Sequence, residues 1–91
     1  MPATDIVYYR EVDGSVPVHE WLTELRRRDQ RAAEKCLAQI DVLRRMGHEL
    51  RRPIADDLRD GMYELRARVG RSQHRILYIS ISESLPCLFT A

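Results

Sequence analysis

The 91-residue sequence predicts an α+β fold: an N-terminal strand, a helical hairpin, then an antiparallel three-stranded meander packed on the two helices. Three observations predict it. A β-rich opening run, Asp5–Val12, precedes two stretches with apolar residues at helical spacing. A pair of β-type runs, Met62–Val69 and Gln73–Ile81, then flanks Gly70-Arg71-Ser72. A short apolar run, Leu85–Ala91, follows. Apolar residues recurring every three or four positions line one side of a helix, whereas β-branched and aromatic runs bounded by glycine signal strands. At this length one domain, residues 1–91, is expected.

In chain order, Asp13-Gly14-Ser15 breaks the first strand, and Ser15 is a candidate cap for a helix with Pro17 in its first turn. Val18, Trp21, Leu22 and Leu25 give that helix one apolar face to about Arg28. Asp29 is placed to cap a second helix, whose stripe is Ala33, Cys36, Leu37, Ile40, Leu43 and Met46. Gly47 is a natural stop, with Arg44 and Arg45 favourably set against the helix dipole. His48–Asp60 is a polar loop around Pro53, with a short helical turn near Ala55–Leu58. Pro86, near the start of the last strand, sits where a missing N–H is tolerated.

Side chains alternate faces along a strand, so the two runs of the hairpin can be sorted. With a three-residue turn, Tyr63, Leu65, Ala67 and Val69 share an apolar face with Leu77, Ile79 and Ile81. Glu64, Arg66 and Arg68 then share the wet face with His74, Ile76 and Tyr78. Two arginines, an imidazole and a phenol there could bind a phosphate and move a proton. A solvated strand face with cross-strand charge pairs is the other reading of the same residues. Parity sets Arg75 with the apolar residues, as a structural arginine at the sheet margin.

Composition narrows the class. The formal net charge is +1, so no overall basicity announces a nucleic-acid binder; of the 15 basic residues, all but Lys35 are arginines. Arginine's planar fork suits phosphate and carboxylate. Cys36 and Cys87 lack metal or redox spacing and are expected as buried free thiols. No leader or membrane-length apolar run is present, and a reducing cytoplasm fits. No Walker loop, GxGxxG, GxSxG or HExxH occurs, and neither a metal nor a cofactor is expected.

VPVHEWLTEL on the first helix, LRRMGHELRRPIADDLRDGMYELR through the loop, and HRILYI on the next strand together resemble the RelE/HigB-like toxins of type II toxin–antitoxin systems. The nearest branch is the phage-derived Gp49-like group. The resemblance implies a RelE-like fold and a metal-free, ribosome-dependent mRNA interferase. In such an enzyme the ribose 2′-OH attacks the adjacent phosphate, leaving a 2′,3′-cyclic phosphate. It also implies a cognate helix-turn-helix (Xre-like) antitoxin as partner, with mRNA on the ribosome as substrate. The matching arginine is Arg66, with Arg75 and Glu64 structural. Face geometry adds His74 and Tyr78 as catalytic candidates and Arg68 as an RNA contact, with Arg71, Arg51 and Arg52 as further RNA-contact candidates.

The Gp49-like pattern continues past the last strand into a Phe-x-Lys-Lys stretch and a basic helix, whereas this sequence stops at Leu88-Phe89-Thr90-Ala91. Weakened catalysis is therefore one expectation. A catalytically inactive protein that binds the antitoxin and tunes transcription is the alternative. An uncovered edge at the last strand would also permit a homodimer.

Overall fold

The computed structural model describes residues 6–50, 54–59, 61–82 and 85–90. Strand β1 (Val7–Tyr8), helices α1 (Pro17–Arg28) and α2 (Gln30–Met46), and a 3-10 turn at Gly47–Glu49 come first. Strands β2 (Ala55–Arg59), β3 (Met62–Val69), β4 (Ser72–Ser82) and β5 (Leu85–Thr90) follow. The strands make one sheet ordered β1-β5-β4-β3-β2, with β1 parallel to β5 and the other neighbours antiparallel. The α+β class, N-terminal strand, helical hairpin and meander are as the sequence predicts. The sheet has one strand more.

The extra strand is β2, where the sequence suggests a loop with a helical turn. Its Asp-Asp-Leu-Arg segment has poor strand propensity, yet pairing with β3 overrides propensity. Arg66 N donates to Ile54 O at 2.7 Å, extending that contact beyond the strand. Three successive exposed positions, Asp57–Arg59, suit a sheet edge, where charge deters pairing with other chains. At the other end the first strand is shorter than expected. Tyr9 N still reaches Leu88 O at 2.8 Å, but Glu11 and Gly14 already hydrogen-bond within a local turn. Strand β5 lies between β4 and β1, and the two-residue β1 covers it at Cys87 and Leu88.

Both helices form where the spacing places them. Asp29 accepts from Ala32 N at 3.1 Å, and Gly47, at φ +57°, sends its N–H to Leu43 O. Ser15, by contrast, does not cap α1. Its N–H and hydroxyl both bond to Asp13 Oδ1, at 2.9 and 2.7 Å, an Asx-type turn that engages the side chain. These bonds hold the Asp13 carboxyl below its ordinary pKa. Pro17 opens the helix as expected.

The core unites Val18, Leu22 and Leu25 of α1 with Ala33, Cys36, Ile40 and Leu43 of α2 over Leu65, Ala67, Ile76, Tyr78 and Leu88 of the sheet. Leu37 and Met46, expected in the α2 stripe, are more than 40% exposed. Gln39 is buried instead and donates to Arg66 O at 3.2 Å, which seats α2 directly over β3. Cys36 lies in this layer as a free thiol, its pKa pushed up by burial to about 11. At pH 8 about one molecule in a thousand then carries the reactive thiolate. Iodoacetamide should therefore spare Cys36 in the folded protein and modify it on unfolding, as mass spectrometry of the alkylated chain would show. Because the folded thiol holds its proton more tightly, this contribution to stability is intact below about pH 9 and falls as pH rises toward 11.

The main departure is the register of β3 and β4. Val69 pairs with Ser72, so the loop is the two residues Gly70-Arg71, with Gly70 at φ +59°. Positive φ at the first loop residue is the geometry of the primed hairpin turns, whose twist matches the flanking strands. One residue fewer in the loop moves every β4 side chain to the opposite face. Ile76 and Tyr78 therefore enter the core with Leu65, while Arg75, Leu77, Ile79 and Ile81 face away from the helices.

Candidate functional site

The sheet face turned away from the helices carries Glu64, Arg66 and Arg68 from β3, as parity predicts. From β4 it carries Gln73, Arg75 and Leu77, not His74 and Tyr78. Arg66 and Arg75 are directly opposed Cα partners. Two guanidiniums in such a position repel unless a carboxylate intervenes, and Glu64 does. Its Oε1 accepts from Arg75 Nε at 3.0 Å and Arg66 Nε at 3.4 Å. Asp56, cross-strand partner of Glu64, takes Arg66 Nη2 at 2.9 Å. The four groups balance to zero formal charge.

Exposure differs sharply among them: the side chains of Glu64 and Asp56 are 8% and 17% exposed, those of Arg66 and Arg75 32% and 65%. Glu64 is thus the buried brace of the pair. Arg75 presents both terminal nitrogens to solvent without a protein partner among the described residues. Glu64→Gln keeps the shape but leaves two opposed cations. A loss of about 1–3 kcal/mol is expected, below the full cost of breaking a buried ion pair because Arg75 is exposed. About 1 M salt should recover part of it by screening, and urea melts at low and high salt would measure both effects.

The other sequence candidates fall as follows. Tyr78 is buried and stacks on Tyr63, ring centroids 5.3 Å apart. His74 opposes Ala67 on the helix side, 6.1 Å from the Trp21 ring, with Nε2 buried and unbonded. Neither shares a face with Arg66. Arg68 and Arg71 are exposed at the hairpin tip, and Arg51 and Arg52 lie outside the described residues. Sequence reading passes over Asp56, since it assigns that segment to a loop. The signal that would find it is Asp60-Gly61, a hairpin dipeptide just before β3. Gly61 has φ +81°.

The family model of the phage-derived Gp49-like proteins matches residues 20–88, a span that includes α2 and strands β2 to β4 with the whole Arg66–Arg75 cluster. The chain belongs to this family. It is a RelE/HigB-like toxin family, so an antitoxin is the partner that membership implies. No curated protein and no solved structure matches the chain. Among the described residues of this Gp49-like chain, no helix is long and apolar enough to cross a membrane, and no cluster of three His, Cys, Asp or Glu residues is placed to hold a metal ion.

Proposed function

We propose that this chain is the toxin of a type II toxin–antitoxin pair, a cytoplasmic endoribonuclease that cuts mRNA on the ribosome and is held in check by a helix-turn-helix antitoxin. The observation that carries the reading is the opposed pair Arg66 and Arg75, braced by buried Glu64 on an open sheet face. Attack of a ribose 2′-OH on its own phosphate builds negative charge on the nonbridging oxygens. Preorganised guanidinium donors lower that barrier. Arg75, with its terminal nitrogens open, meets the phosphate first, and Arg66 shares its charge between Asp56 and the phosphate. With the imidazole of His74 on the far side of the sheet, the acceptor for the attacking hydroxyl's proton is a carboxylate. The O2′–P bond forms as the P–O5′ bond breaks, and the proton passes on to the leaving 5′-oxygen, which departs as a 5′-hydroxyl. Of the two carboxylates Asp56 is the more exposed, 17% against 8% for Glu64, and is the assigned acceptor.

The zero net charge of the cluster favours one further reading: a toxin-family protein without catalysis, which binds its antitoxin and tunes transcription. Growth after induced expression separates the two. Under the nuclease reading the wild-type chain arrests growth and Arg66→Ala does not. Equal, unimpaired growth with both soluble proteins would sink it.

A further inference from the structure

A charge-neutral cluster orients a phosphate but attracts a polyanion weakly, and a second feature of the same hairpin has the opposite balance. A groove of about 420 Å³ lies between α2 and the β3–β4 turn, lined by Arg31, Glu34, Lys35, Arg68, Val69 and Gly70. Its three cations face one carboxylate, and that carboxylate already accepts from Gln30 Nε2 at 3.2 Å. Arg31 and Lys35 are exposed and form no ion pair among the described residues. Arg68 Nε donates to the Gly70 carbonyl at 3.4 Å, which keeps its guanidinium at the turn.

The fold dictates this convergence. Gln39 pins α2 over Arg66 of β3. Lys35 and Arg31 stand one and two helical turns back from Gln39, on the same side of α2. Each turn covers about 5.4 Å along the helix. In the same direction, β3 advances from Arg66 to Arg68, about 7 Å, and reaches the turn. Helix and strand thus carry their cations to the same end of the molecule.

We propose that this groove binds the sugar-phosphate backbone of single-stranded RNA as an anchoring site beyond the Arg66–Arg75 pair. A strand whose phosphate reaches that pair continues over Arg68 into the groove. The choice of RNA as the polyanion rests on the nuclease reading above. It is also favoured over an acidic polypeptide by the lining, in which Val69 is the one large apolar side chain. Protein partners bind chiefly through buried aromatic and arginine anchors in pockets, whereas a backbone needs only positive donors and room.

The test is fluorescence anisotropy with a labelled oligouridylate and the full chain, between about 50 and 200 mM salt. The wild type is compared with the double variant Arg31→Gln/Lys35→Gln and with Arg66→Ala. If each cation neutralises one phosphate, the double variant loses about 1.4 from the log–log salt slope and about 25-fold in affinity near 0.1 M salt. The exchanged pair Arg31→Lys/Lys35→Arg keeps both charges and should bind like wild type, which separates charge from folding. No binding by the wild type, or an unchanged slope in the double variant, overturns the proposal. Equal displacement by polyglutamate and by unlabelled RNA overturns the choice of RNA. Failure of the cleavage reading is distinguishable: Arg66→Ala then matches the wild type in growth, while the groove's salt slope persists.

Discussion

Ile76→Ala should destabilise the protein by about 2–5 kcal/mol, and Ile79→Ala, three residues on, by about 1 kcal/mol or less. Ile76 is 2% exposed and sits under the helices beside Leu65; Ile79 is 39% exposed on the opposite face. The difference tests the register directly, because a three-residue turn would bury Ile79 and expose Ile76, reversing the order. A native domain has about 5–15 kcal/mol of total stability, so the Ile76 variant should lose a large part of its cooperative transition. For a domain of this size each kcal/mol moves the melting temperature by about 4–8 °C. Urea unfolding of the two variants, with m-values compared to confirm a common unfolded state, gives the measurement. A larger loss for Ile79 would refute the hairpin described here and the site built on it.

That register is also where sequence and structure part, and the reason is physical. The helices are legible because their signals agree: Pro17 at the start, Asp29 as a cap, Gly47 as a stop, and apolar spacing between. Strand β3 is legible because its alternation is clean, Leu65 and Ala67 against Glu64 and Arg66. Strand β4 has apolar residues of both parities, Ile76 and Tyr78 against Leu77, Ile79 and Ile81. Counting aliphatics favours the wrong set. The residue that argues for the right one is Arg75, which the wrong register pushes beneath the helices. Burying an unpaired guanidinium costs several kcal/mol, and the observed register buries Ile76 and Tyr78 in exchange for leaving Leu77, Ile79 and Ile81 partly wet. The candidate site follows the same division. Parity puts Arg66 on the face that it occupies. The roles suggested for His74 and Tyr78 inherit the one-residue shift, and Asp56 stays hidden until β2 is recognised as a strand.

Arg66→Ala should lower RNA cleavage on translating ribosomes by about 10²–10³-fold, the usual cost of removing one donor aimed at transition-state charge. The variant has a structural consequence too, since Asp56 and Glu64 are cross-strand partners that Arg66 bridges. Without it two carboxylates face each other, and a stability loss of about 1 kcal/mol is expected. A drop in activity with a drop in stability would be ambiguous alone. Arg66→Lys resolves it by restoring the charge between the carboxylates without the planar fork that grips Asp56, Glu64 and a phosphate together. The lysine variant should melt near the wild type yet cleave far more slowly. Arg75→Ala gives the converse comparison. Its side chain is 65% exposed, so stability should change little while cleavage falls. If Arg66→Lys regains full cleavage along with stability, the fork is dispensable and Arg66 is a counter-ion for the sheet. If Arg75→Ala cleaves like the wild type, the phosphate does not sit between the two arginines. The assignment of this face as the reaction site then fails.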